Sequence, residues 1–70
     1  MENIQLAHRI RAFRKLKGYT QVQLAELTGI SLAVLGTIER GNRRVEESIL
    51  TKLAASLGVS VEELTRTGQS

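Results

Sequence analysis

The side chains in this 70-residue sequence that most clearly point to a binding partner are its cations. There are ten Lys and Arg and seven acidic residues. A first group lies between His8 and Tyr19 with no acid among them: Arg9, Arg11, Arg14, Lys15 and Lys17. A second group follows in mid-chain: Arg40, Arg43 and Arg44. Two separate basic clusters on a small domain indicate a polyanion partner such as nucleic acid. The alternative is an ordinary solvated face, and charge alone does not decide between the two.

The same inventory argues against catalysis. All seven acids are Glu, His8 is the one histidine, and Cys and Asp are absent. A catalytic triad, a carboxylate site for Mg²⁺ and a Cys- or His-rich metal site all need residue types that this chain lacks or nearly lacks. Phe13 and Tyr19 are the only aromatic residues, too few to stack the bases of a single strand. We therefore expect no enzyme, no cofactor and no metal.

Length and hydropathy patterning indicate one small all-α domain. We predict a single domain over residues 1–66 and a flexible tail over residues 67–70. No apolar run is long enough for a membrane span, and the first residues lack the layout of a signal peptide, so we expect a cytoplasmic protein with no membrane partner.

Apolar residues recur at helical spacing almost throughout, which predicts five short helices. Glycines 18, 29, 41 and 58 are placed to end the first four. The side chains predicted to point inward are Leu6, Ile10 and Phe13, then Leu24, Ala25 and Leu27, then Leu35 and Ile38, then Ile49, Leu50, Leu53, Ala54 and Leu57, and finally Val61 and Leu64.

The segment from Thr20 to Gly41 is typical of two helices joined by a turn of three to four residues. Thr20 and Gln23 have the spacing of a capping box. Gly29 permits the turn, and Ser31 can cap the helix that follows. In this arrangement the second helix is held outward, where it can enter the major groove of DNA. Any helical hairpin with a glycine turn would give a similar pattern.

Matched positions extend well beyond this segment, and with them the chain resembles the Cro and phage-repressor type of helix-turn-helix protein, the Xre family. The positions that carry the resemblance are Ile10, Arg14, Gly18, Thr20-Gln21, Leu24-Ala25, Gly29-Ile30-Ser31, Ile38-Glu39-Arg40-Gly41, Leu53-Ala54, Leu57-Gly58-Val59-Ser60 and Leu64. The resemblance implies a compact five-helix, lambda-repressor-like DNA-binding domain.

The resemblance also implies roles for individual side chains. Arg14 and Glu39 match a structural ion pair between the first and third helices. The positions that match phosphate contacts are Gln21, Ser31, Arg40, Asn42, Arg43 and Arg44. Those that match the base-facing side of the recognition helix are Leu32, Ala33 and Thr37, with Ser31 at its start.

The outward face of the predicted recognition helix departs from the family pattern. At about 100° per residue, with Leu35 and Ile38 inward, the outward residues are Ala33, Gly36, Thr37 and Arg40, with Leu32 on the flank. Family members often carry Gln, Arg, Asn or Lys there to pair with base edges. Only Thr37, and Arg40 at the helix end, can do so here. We therefore predict poor direct base readout and a preference based on thymine methyls and DNA deformability.

These observations predict sequence-specific binding of double-stranded DNA by a homodimer that regulates transcription, as a repressor or autoregulator. The edge of the fourth helix, with Val59 and Val61, is the candidate dimer patch. The alternative is a protein-interaction module on the same scaffold, such as an antitoxin or anti-repressor. Its partner would meet the apolar outward face of the third helix, which would need no basic surround. An unidentified regulatory protein partner is compatible with the first prediction.

Overall fold

The computed structural model describes residues 3–66, which form five α-helices. They are α1 (Asn3–Leu16), α2 (Gln21–Thr28), α3 (Leu32–Glu39), α4 (Glu47–Leu57) and α5 (Val61–Thr65). No strand occurs within this range, and the all-α architecture predicted from the spacing of apolar residues is confirmed. The predicted tail, residues 67–70, lies outside the described residues.

One apolar core holds the five helices together. α1 packs against α3, α4 and α5, α2 packs against α3 and α4, and α4 packs against α5. The largest fully buried apolar side chains come from every helix: Leu6, Ile10, Leu24, Leu35, Ile38, Leu53, Leu57 and Leu64. Each buried side chain of this size stabilises the fold by about 1.5–3 kcal/mol. All eight were predicted to point inward from helical spacing.

α2 buries a different side chain from the one that hydropathy favours. Leu27, predicted to point inward, is 56% exposed, whereas Thr28 is buried. Thr28 lies on the same stripe as Leu24, four residues earlier. Its Oγ1 donates to the carbonyl oxygen of Leu24 at 2.8 Å and accepts from the backbone N–H of Ile30 at 3.3 Å. Because the hydroxyl is hydrogen-bonded, its burial costs little.

Arg9, from the first basic cluster, fastens α1 to α5. Its Nε donates to the backbone oxygens of Glu63 at 3.0 Å and Leu64 at 3.2 Å. Its Cζ also lies 5.4 Å from the centroid of the Phe13 ring, a cation–π distance. The last carbonyls of a helix have no partner within it, so this arginine completes the end of α5. The cluster is therefore partly structural.

No single helix among residues 3–66 is long and apolar enough to cross a membrane. α2 and α3 reach the required length and hydropathy only as a pair, and that pair is bent by 116° at the turn.

Candidate nucleic-acid interface

The turn between α2 and α3 sets the geometry of the candidate site. α2 ends at Gly29, whose φ of +74° is a conformation that only glycine adopts without strain. The next residue, Ile30, is buried in the angle between the helices. The bend of 116° between α2 and α3 falls in the range of about 90–120° for helix-turn-helix pairs. α3 therefore lies across α2, with one face on the core and the other exposed.

Side-chain caps fix the first turn of each helix. Thr20 Oγ1 accepts from the backbone N–H of Gln23 at 3.0 Å, and Gln23 Oε1 accepts from that of Thr20 at 2.8 Å. The capping box predicted from the spacing is therefore confirmed. Ser31 Oγ accepts from the backbone N–H of Val34 at 3.1 Å. The Ser31 hydroxyl keeps its own O–H as a donor for an outside group.

A buried ion pair joins α1 to the last residue of α3. Arg14 Nε donates to Glu39 Oε2 at 2.8 Å, and Arg14 Nη2 donates to Glu39 Oε1 at 3.0 Å. The Glu39 side chain is 1% exposed and that of Arg14 is 12% exposed. Arg14 Nη1 also donates to the backbone oxygen of Tyr19 at 2.9 Å. The two residues that the family resemblance pairs are thus brought together in the strong bidentate geometry.

Gln21, the first residue of α2, contacts the same carboxylate. Its Nε2 donates to Glu39 Oε1 at 3.1 Å, and the residue is half-buried. An amide nitrogen has two N–H groups, so one remains for a phosphate. Glu39 therefore orients the side chain that the resemblance assigns to phosphate. The sequence gives no signal for this bond, because only the angle between α2 and α3 brings positions 21 and 39 together.

A tight turn at the end of α3 presents the basic loop. The backbone N–H of Gly41 donates to the oxygen of Ile38, and that of Asn42 to the oxygen of Thr37, both at 3.0 Å. With a φ of +75° at Gly41, this is a Schellman motif. The loop side chains of Asn42, Arg43 and Arg44 are exposed. Within residues 3–66 none of these three side chains forms a hydrogen bond or an ion pair, so their donors face solvent.

The exposed face of α3 is small and largely apolar. Leu32 is 47% exposed, and Ala33 is also exposed. Thr37 is half-buried, and its Oγ1 donates to the backbone oxygen of Val34 at 2.7 Å. The hydroxyl proton is thus used within the helix, which leaves Thr37 as an acceptor toward a base.

Gly36 does not form part of that exposed face. Helical spacing assigns it outward, yet it is buried. A Cβ built on Gly36 would meet Arg40 Nη1 at 3.4 Å, the one contact within 4 Å beyond its neighbours and the helix backbone. Arg40, four residues later, folds back over the glycine. The Arg40 side chain therefore covers the surface at this level, and the assignment of Gly36 to the base-facing residues stays a prediction.

The chemistry available at this surface is hydrogen bonding and positive charge. Within residues 3–66 no group of three or more His or Glu side chains is placed to hold a metal ion. An exposed helix, held across a second helix and bordered by amide and guanidinium donors, defines a helix-turn-helix DNA-binding domain.

The chain belongs to the helix-turn-helix family, whose sequence pattern matches residues 10–64. It is 55% identical over 56 residues to YazB of Bacillus subtilis, an uncharacterized HTH-type transcriptional regulator. The matched residues make up 80% of this chain and 81% of YazB. It is also 41% identical over 64 residues to the control protein C.SmaI of Serratia marcescens. There the matched residues make up 90% of this chain and 76% of C.SmaI.

A solved structure shows the same architecture. The restriction-modification controller protein C.AhdI from Aeromonas hydrophila superposes with a TM-score of 0.86 at 35% identity, over 89% of this chain and 94% of that one. The five-helix repressor-type fold predicted from the sequence is thereby confirmed, and so is the resemblance to this class of regulator.

Proposed function

We propose that this protein binds double-stranded DNA with α3 in the major groove and regulates transcription, as a repressor or autoregulator. The observation that carries the proposal is the exposed face of α3, held across α2 and bordered by hydrogen-bond donors. These donors are Gln21, the first residue of α2, and the exposed Asn42–Arg44 loop after α3. A protein partner would need no such border. The names of the relatives, a transcriptional regulator and a control protein, support the same function.

Phosphate contacts position the domain on the duplex. Gln21 has one amide N–H beyond its bond to Glu39, and Ser31 retains its O–H. The first backbone N–H groups of α2 and α3 add partial positive charge at these points. Arg43 and Arg44 neutralise phosphates on the far side, which makes binding salt-dependent. None of these contacts distinguishes one base from another.

The face that enters the groove offers Leu32, Ala33 and the acceptor oxygen of Thr37. Leu32 and Ala33 can contact the C5 methyl of thymine, and Thr37 can accept from an exocyclic amine. Contacts of this kind discriminate only weakly between one base pair and another. Preference for a site then depends strongly on how readily the duplex takes the required shape.

The binding unit in this proposal is a homodimer of a single domain, residues 1–66. One domain of this size makes too few phosphate contacts for useful affinity at cellular salt, and a second copy doubles them. The surface proposed for the second copy is the edge of α4 with Val59 and Val61, both half-buried against the core. Val61 also lines a groove between α4 and α5, whose other lining residues are Arg44, Val45, Glu46, Glu47, Leu50 and Thr65.

A binding selection from a random duplex library tests the activity and reveals the site together. Fluorescence anisotropy on the recovered site and on a scrambled duplex, over a salt series, then gives both affinities. We expect enrichment of one site and a steep fall in affinity with salt. The double variant Arg43→Ala/Arg44→Ala should weaken both duplexes, whereas Lys52→Ala, an exposed cation of α4, should change neither. No enrichment and no binding at low salt would leave the protein-interaction alternative.

A further inference from the structure

Arg40 holds an unusual position for a residue at the end of a helix. It caps α3 with φ −91° and ψ −4°, so its backbone is still helical. Its guanidinium lies back along the helix, with Nη1 at 3.4 Å from the point that a Cβ on Gly36 would occupy. Side chains on a helix lean toward its N-terminus over the preceding turn, and a glycine four residues earlier leaves that path open.

The consequence is that the charge of Arg40 is carried about one helical turn, 5.4 Å, toward the middle of α3. There it lies over Gly36, on the same stretch of the helix as Thr37. Arg40 is exposed, and within residues 3–66 its side chain forms no hydrogen bond or ion pair. Its five N–H donors are therefore available at the outward face.

Apart from the Ser31 hydroxyl at the start of α3, no other side chain on that face supplies a donor. Leu32 and Ala33 are apolar, and the Thr37 proton is given to the Val34 oxygen. The base edge that most needs a paired donor is guanine, whose O6 and N7 both accept in the major groove. Arginine satisfies both with its planar fork.

We propose that Arg40 is the specificity-determining residue of this protein. With its guanidinium lying over Gly36, it contacts the base edge of a guanine in the major groove. The inference rests on the proposed DNA-binding function, and it moves Arg40 from the phosphate contacts to the base contacts. The competing role is a phosphate contact next to the loop. Two observations favour the base: the guanidinium lies back over Gly36 in the middle of α3, and a side chain longer than alanine at position 36 would take the place of Nη1.

The test uses the full chain and the duplex recovered by selection, with 7-deazaguanine, which lacks the N7 acceptor, placed at each guanine in turn. Anisotropy compares the parent, Arg40→Ala and the matched control Arg43→Ala. We expect Arg40→Ala to bind the selected site about 5- to 150-fold more weakly, with little change on a scrambled duplex. One 7-deazaguanine position should weaken the parent and Arg43→Ala but leave Arg40→Ala unaffected. Thermal melts should show Arg40→Ala folded, because its side chain has no partner within the described chain.

Gly36→Leu closes a double-mutant cycle. An alanine methyl would only touch Arg40 Nη1, whereas the longer leucine side chain takes its place, so Gly36→Leu should cost affinity for the selected site when Arg40 is present and little in Arg40→Ala. Independent effects of the two substitutions would overturn the role of Gly36. If Arg40→Ala weakens selected and scrambled duplexes equally, and 7-deazaguanine acts on parent and variant alike, Arg40 contacts phosphate and the assignment is wrong. If the parent binds no duplex at low salt, the proposed function fails as well, so the two failures are distinct.

Discussion

Replacement of Glu39 by glutamine removes the negative charge from the buried pair while keeping the shape of the side chain. In the native protein the carboxylate accepts three hydrogen bonds, two from Arg14 and one from Gln21. In Glu39→Gln one oxygen becomes an NH₂ group that faces an N–H donor. The Arg14 cation loses its counter-charge and one of its two bonds to position 39, and it keeps its bond to the Tyr19 oxygen.

The magnitude follows from burial. Loss of one partner of a buried pair costs about 3–5 kcal/mol. The lower value applies here, because the Arg14 side chain is 12% exposed and can partly rehydrate. A domain of this length has about 4–10 kcal/mol of stability in total. A loss of about 3 kcal/mol lowers the melting temperature by roughly 12–24 °C. It moves the urea midpoint down by about 3 M, for a urea dependence near 1 kcal/mol per M.

Urea unfolding followed by far-UV circular dichroism measures the effect directly. Glu26→Gln is the matched control, because Glu26 is an exposed glutamate on α2 and within residues 3–66 forms no ion pair. Its stability should stay within about 0.5 kcal/mol of the parent. A midpoint for Glu39→Gln that coincides with that of Glu26→Gln would show that the pair does not hold α3 to α1.

Three further outcomes are expected. Gly29→Ala should destabilise the domain by about 1–2 kcal/mol in thermal melts, since φ is +74° while no atom lies within 4 Å of the new Cβ. An unchanged melting temperature would mean that the turn relaxes to another conformation. Arg43→Ala should weaken binding to all duplexes alike and lower the salt slope by roughly one. A slope equal to that of the parent would remove Arg43 from the phosphate contacts. The selected site should be an inverted repeat with half-site centres about 34 Å apart, bound by two chains in sedimentation. A site without that symmetry, or a complex with one chain, would contradict the dimer.

The features that the sequence predicts well are those set by neighbours in the chain. The Thr20–Gln23 capping box and the turn at Gly41 that ends α3 depend on residues three to five positions apart, so composition and spacing specify them. The core stripes are equally local, since each follows from the period of one helix. Thr28 was missed because hydropathy ranks it below Leu27, and its burial depends on a hydrogen bond to the backbone.

The features that sequence reasoning missed depend on side-chain direction after the helices have packed. Gln21 meets Glu39 only because the turn sets α2 across α3. Helical spacing gives the angle of Gly36 around α3, but it does not give the path of the Arg40 side chain, which decides whether the glycine is exposed. Spacing therefore predicts which residues lie on the outward side of α3, but it does not predict which of them another side chain covers.

Glu39 and Arg40, adjacent at the end of α3, are expected to have separate roles, the first in stability and the second in DNA recognition. Because successive side chains on a helix differ by about 100°, Glu39 points into the core toward Arg14 while Arg40 points outward over Gly36. A change at position 39 is therefore expected to act through unfolding, and a change at position 40 through the choice of DNA site. The same separation explains how the outward face can be small without loosening the helix. Besides the apolar core, α3 is held to α1 and α2 by Glu39, whose side chain is 1% exposed, so we expect α3 to keep its angle whichever bases Arg40 meets.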